Sequence, residues 1–251
     1  MMDTAPTAAM DNAMPLPGTA PHFPFMTPVF ACLTVFTIVA GLWLDSHAGA
    51  WGQAVVNVWT WALLCAMFLC AASKQRALWL ACLAWAWFGE IVLSQVWGLY
   101  DYWLGGLPLF VPPGHVLLFA LGMWLAERLP ATLTDAVPAF ATGLVLSFAL
   151  RAGDTLSLPL LAIFLLRTRF GPSPRLYSTM FLLALAMEFY GTALGNWAWR
   201  DPVPGLPLGA TNPPLAAGAV YCLLDWLVGI SVQRLSASDG CLRAIRGQPT
   251  R

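Results

Sequence analysis

Residues 90–115 read EIVLSQVWGLYDYWLGGLPLFVPPGH, and residues 188–214 read EFYGTALGNWAWRDPVPGLPLGATNPP. Each begins with a glutamate embedded in an apolar run. Gly98 follows Glu90 by eight residues and Gly195 follows Glu188 by seven. Aromatics stand two and four places beyond each glycine: Tyr100 and Tyr102, then Trp197 and Trp199. A Gly-Leu-Pro comes next in both (Gly106 to Pro108, Gly205 to Pro207), and a double proline closes each (Pro112-Pro113, Pro213-Pro214). The shared order predicts two copies of a helix–hook–helix unit. A proline pair suits a helix start, where the missing amide proton has no partner anyway. A glycine ends a helix through a left-handed cap. Alternate residues of an extended hook project to one side.

The chain around these segments is 59% hydrophobic and 10% charged, against roughly 25% charged in soluble domains, with mean hydropathy +0.70. A run of about 20 apolar residues spans a bilayer as helix. The expected fold is an all-α polytopic transmembrane bundle of about eight spans: 25–44, 52–72, 77–98, 113–129, 132–150, 154–166, 176–196 and 213–234. The sixth is short, and Gly153 and Pro159 suit a bent or re-entrant segment there. Eight spans put Lys74, Arg76, Arg128, Arg167, Arg169, Arg175, Arg234, Arg243, Arg246 and Arg251 on one side, leaving Arg151 and Arg200 on the other. Excess Lys/Arg marks the cytoplasmic face, so both termini are expected inside, in a bacterial inner membrane, with the hooks outside. Spans three and four then match seven and eight. The even offset makes a 4+4 parallel repeat, with halves near 25–129 and 132–234.

Residues 1–24 are expected to be a disordered Pro/Ala-rich tail; the basic start of a secretory signal is missing from them. Residues 235–251 are expected to be a polar tail. Net charge is zero and the arginines are scattered, which argues against nucleic acid as a partner. The six cysteines form no CxxC or Cys/His cluster, so no metal is expected, and buried thiols serve as small apolar fillers.

Ionisable groups within spans are costly and mark functional sites by default. Glu90 and Glu188 lead, followed by Asp225 in the last span. His115 opens the fourth span, and Asn196 flanks the second hook with Asn212. Asp101, Arg200 and Asp201 read as solvated loop charges or an Arg200–Asp201 pair, Glu127–Arg128 as a boundary, and Trp59, Trp61, Trp79, Trp124 and Trp226 as belt or packing residues. A structural role for the two glutamates, tying helices together, is the alternative. A neutral carboxylic acid in an oily pocket is a proton donor, and ring faces stabilise a carbocation. Glu90, Glu188 and Asp225 are therefore the expected catalytic groups. Tyr100, Tyr102, His115, Asn196, Trp197 and Trp199 are expected to bind substrate. No cofactor motif is present.

The pattern of Glu90, Gly98, Tyr100, Tyr102 and Pro108, echoed by Glu188, Gly195, Trp197, Trp199 and Pro207, resembles the membrane carotenoid-synthesis proteins. These are carotenoid hydratases of the bisanhydrobacterioruberin hydratase type and, more distantly, the membrane lycopene cyclases. The likeness covers about residues 77–234. It implies cofactor-independent, acid-catalysed hydration or cyclisation of a polyisoprenoid alkene end group, with a hydrophobic small molecule and membrane lipid as partners. A small-solute transporter built from parallel repeats, or a non-catalytic assembly protein, uses the same sequence features.

Overall fold

The computed structural model describes residues 27–245, with side chains described through Arg234. The expected 1–24 tail lies outside the described residues. Eight α-helices make up most of it: α1 (Pro28–His47), α2 (Gly49–Cys70), α3 (Ser73–Glu90), α4 (Val111–Arg128), α5 (Ala131–Ala152), α6 (Ser157–Phe170), α7 (Pro174–Leu194) and α8 (Gly218–Ile245). Two three-residue strands, β1 (Tyr100–Tyr102) and β2 (Trp197–Trp199), form the hooks. Four segments are long and apolar enough to cross a membrane: Pro28–His47, Gly49–Cys70, Ser73–Val96 and Ala131–Ala152. Their outward faces are greasy, with Phe36, Val58, Leu80, Phe140 and Leu150 all exposed. A helix that is apolar all round is either buried in a protein core or spans a membrane, and the exposed apolar faces here exclude the core. The protein is a membrane protein on these grounds.

Local chemistry sets the helix ends. Thr27 caps α1, accepting from Phe30 N at 3.2 Å, and Pro28 occupies the first turn. Pro112 and Pro113 start α4 as expected. Gly195 ends α7 at φ +77°, where Asn196 N reaches Gly191 O at 2.9 Å and Gly195 N reaches Thr192 O at 3.1 Å, the paired bonds of a Schellman cap. The first stretch contains one more residue between glutamate and glycine than the second. That residue is taken up by a π-helical turn over Ile91–Val96, with Trp97 N on Val92 O at 2.8 Å. A π turn closes its bonds five residues back instead of four, so it absorbs one inserted residue.

The last helix departs from expectation at both ends. It begins at Gly218, not at the Pro213-Pro214 pair, and its backbone runs on to Ile245 past the expected tail boundary at 235. The amides ahead of it are held by another loop: Leu215 N donates to Asp154 Oδ2 at 2.9 Å and Ala216 N to Ser157 Oγ at 3.0 Å. The prolines therefore lie in an anchored loop instead of in the first turn. Helix α6 has 14 residues, so it rises only ~21 Å at 1.5 Å per residue.

α3, α4, α7 and α8 form the centre, with α3 packed on α4 and α8, and α7 packed on α4 and α8. α1 and α2 pair with each other and lean on α4, while α5 and α6 pair and lean on α7. At one end of this bundle β1 pairs antiparallel with β2, aligning Tyr100 with Trp199 and Tyr102 with Trp197. Arg151 and Arg200 lie at that end. Lys74, Arg76, Arg128, Arg167, Arg169, Arg175 and Arg234 lie at or toward the other end of their helices.

Candidate functional site

In each hook the outer residues are buried and the middle one is exposed, so both aromatic pairs turn inward beneath the ribbon. The four rings interleave: Tyr100 and Trp199 lie 4.9 Å apart between centroids, and Tyr102 and Trp197 lie 6.3 Å apart. Their polar tips converge on the two glutamates. Tyr100 and Tyr102 donate their hydroxyls to Glu90 Oε2 at 2.9 and 2.7 Å. Trp197 and Trp199 donate their indole N–H groups to Glu188 Oε2 at 2.8 and 3.0 Å. One oxygen of each carboxyl is thus filled by the two aromatics of its own hook.

The remaining oxygens differ. Glu90 Oε1 faces His115 Nε2 at 3.4 Å. The imidazole is held by Nδ1 on Val111 O at 2.9 Å and stacked on Tyr221, with centroids 5.0 Å apart and planes 7° from parallel. Glu188 Oε1 accepts no hydrogen bond from the described residues. Both glutamates are only 6% exposed, and both line one cavity of about 270 Å³. Its other walls are mostly aliphatic and aromatic, among them Ile38, Leu117, Met187 and Leu224, with the threonines Thr37 and Thr60 also on the lining. Phe88 also lines it, yet is 58% exposed. The cavity wall thereby continues to the greasy exterior along the membrane-length segment 73–96.

The structure brings Glu90, Glu188, Tyr100, Tyr102, His115, Trp197 and Trp199 together on this cavity. It sets two expected residues apart. Asp225 is buried on α8 but is not on the lining, and neither of its oxygens has a hydrogen-bond partner. Tyr221 and Leu224 line the cavity just ahead of it along α8, but Asp225 itself does not reach the lining. It lies within electrostatic reach of the buried thiols Cys82 and Cys222 instead. Asn196 likewise belongs to the frame: its amide nitrogen donates to Leu42 O at 3.0 Å and Asp45 Oδ2 at 2.7 Å. Asp45 also accepts from Trp103 Nε1 at 3.1 Å and Gln53 Nε2 at 3.2 Å, which ties both hooks to the α1–α2 turn. Asn212 accepts from Trp199 N at 3.0 Å, fixing the second hook.

Of the two readings for these charges, the Arg200–Asp201 pair does not form, and Asp101 and Arg200 are both exposed. Arg200 crosses the ribbon to Asp101, with Nε on Oδ2 at 2.5 Å and a second bond to Oδ1 at 2.7 Å, while Asp201 accepts from Ala210 N. The fork holds the Asp101 carboxyl below its ordinary range. A depressed folded-state value stabilises above the unfolded pKa and is lost as pH falls through the folded one. Acidifying a detergent-solubilised sample below about pH 4 is therefore expected to lower its melting temperature in the wild type more than in Asp101→Asn. Equal slopes would show that the pair contributes nothing.

Sequence reasoning missed Tyr221, which was one aromatic in an aliphatic span, and Gly191. A Cβ at Gly191 would meet the Trp197 ring at 2.0 Å, so the glycine makes room for the indole to lie back over α7 and reach Glu188. Gly191→Ala is expected to destabilise by about 1–3 kcal/mol through overpacking and to shift tryptophan emission as Trp197 moves. An unchanged melt and spectrum would contradict that contact.

No family model matches the chain, nor does any curated protein or solved structure. The site's own geometry carries the functional argument. Among the described residues no group of three or more His, Cys, Asp or Glu side chains is placed to hold a metal ion.

Proposed function

We propose that this protein acts on a lipid-soluble polyisoprenoid, adding a proton to an alkene end group so that water adds or a ring closes. The observation behind this is the pair of buried carboxyls on one cavity: each has one oxygen filled by two aromatic donors, while the other faces His115 in Glu90 and accepts no hydrogen bond from the described residues in Glu188. Protonating an isolated alkene needs an acid without competing solvent, and the carbocation needs ring faces nearby and shielding from stray nucleophiles. Tyr100, Tyr102, Trp197 and Trp199 supply the rings. A cavity near 270 Å³ is many times the roughly 10–15 Å³ that one water needs on the same measure, room for one end of a chain, with the rest of a long polyene left among the lipids beside Phe88.

The proposal includes the frame. The eight helices are read as eight spans with both termini cytoplasmic, and α1–α4 and α5–α8 as parallel repeats. Antiparallel pairing of the two hooks is what a two-fold axis along the bundle produces, and the same axis exchanges the α3–α8 contact with the α7–α4 contact. The resemblance to carotenoid hydratases and membrane lycopene cyclases points to the same chemistry.

The test is pigment analysis of bacteria that accumulate a linear C40 polyene, with and without this chain. Expected is a new pigment heavier by one water, or one of unchanged mass with a cyclic end. Unchanged pigments together with altered uptake of small solutes would replace this reading with transport.

A further inference from the structure

We propose that the two glutamates divide the reaction: Glu188 is the acid that protonates the alkene, and Glu90 with His115 is the base that receives the proton in the second step. This inference rests on the acid-catalysis reading above.

The two carboxyls look alike in sequence and are held alike at Oε2, yet their surroundings are not equivalent. Val111 O can only accept, so His115 Nδ1 carries a hydrogen and donates it at 2.9 Å. Nε2 then either accepts a proton or pairs with a carboxylate, and the group it faces is Glu90 Oε1 at 3.4 Å. Two tyrosine hydroxyls already donate to the other oxygen. Glu90 thus has one oxygen filled by two hydroxyl donors and the other set against an imidazole nitrogen, with which it can share a proton it gains. A proton on Glu188 must sit on Oε1, because two indole N–H groups occupy Oε2 and an indole cannot accept. That oxygen has no basic neighbour among the described residues and opens on the apolar cavity.

In the first step the Glu188 O–H bond breaks, its proton bonds to the less substituted alkene carbon, and the π pair is consumed. A tertiary cation and a carboxylate remain. In hydration, a water oxygen bonds to the cation and loses a proton to the Glu90–His115 pair. In cyclisation, an internal alkene closes the ring and a ring C–H gives its proton to the same pair, forming a new double bond. The proton then returns to Glu188 through water in the vacated cavity, so none is consumed overall. His115 stacks on Tyr221 from α8, so the base draws on α3, α4 and α8, all of which line the cavity.

The roles separate in D₂O. The purified protein in lipid vesicles is given a linear C40 polyene ending in isolated trisubstituted alkenes, and both product and deuterium in the recovered alkene are measured. A cation formed without a working base reverts, washing deuterium into the alkene. Glu188→Gln is expected to reduce product and wash-in together by roughly 10²- to 10⁴-fold. Glu90→Gln and His115→Phe, the latter keeping a ring against Tyr221, are expected to raise the ratio of wash-in to product by about 10-fold or more. A wild-type ratio in His115→Phe, or wash-in that survives Glu188→Gln but not Glu90→Gln, overturns the division of roles. A wild-type protein that neither converts the polyene nor deuterates it sinks the acid-catalysis reading itself.

Discussion

Glu188→Gln is expected to lower end-group conversion by roughly 10²- to 10⁴-fold, the contribution of a positioned general acid, while leaving the protein folded. The amide oxygen can still accept from the Trp197 and Trp199 indoles, which now meet Oε2 at 2.8 and 3.0 Å. The amide nitrogen replaces the free oxygen and carries no acidic proton. Size, shape and both ring contacts persist, so a melting curve near the wild type's is expected beside the lost activity. The comparison requires conversion, by chromatography of extracted pigments, and unfolding, by thermal melt in detergent, on the same preparation. Conversion near the wild-type rate would remove Glu188 from the chemistry. A collapsed melt would show that the carboxylate's role is to hold the hooks, the structural alternative weighed for these glutamates.

What the sequence disclosed about this site follows the range of the forces involved. Tyr100, Tyr102, Trp197 and Trp199 were legible as inward pairs because a strand's period of two is a local property. Gly98 and Gly195 were legible because few other residues take positive φ, here +69° and +77°. The offset of eight against seven residues from glutamate to glycine was visible too, but only the backbone shows the π turn that absorbs it. The pairing of the hooks across about a hundred residues, and the stack of His115 on Tyr221, are contacts between segments with no common local pattern. Asp225 and Asn196 show the limit of the polarity argument. A polar group in an apolar run is exceptional, but its rarity does not say which face of the helix it occupies. For Asp225 that face is the α8–α3 packing seam near Cys82, and for Asn196 it is the turn at Asp45.

Asp154→Ala is expected to be the most damaging single change to the frame, by on the order of 4 kcal/mol, since each buried donor left unpaired costs about 1–3 kcal/mol. Asp154 is fully buried. Its Oδ2 accepts from Ser157 Oγ at 2.6 Å and Leu215 N at 2.9 Å, and its Oδ1 accepts from Thr211 N at 3.4 Å. Ser157 in turn takes the Ala216 amide, so a carboxyl and a hydroxyl from the α5–α6 loop hold the amides leading into α8. Alanine strands the buried Leu215 amide and removes the acceptor of the partly buried Thr211 amide, and it frees Ser157 to turn away from Ala216. Ala217 lines the cavity and Tyr221 supports His115 one turn further on, so the loss should spread from stability to the site. Asp154→Asn keeps an acceptor but sets an N–H₂ against other donors, and should fall between alanine and wild type. Hydrogen exchange at the Leu215 and Ala216 amides checks the mechanism directly: both should lose protection in Asp154→Ala ahead of the helix interior. Retained protection and an unshifted unfolding midpoint would mean that α8 is seated by its helix packing on α3, α6 and α7 without help from Asp154.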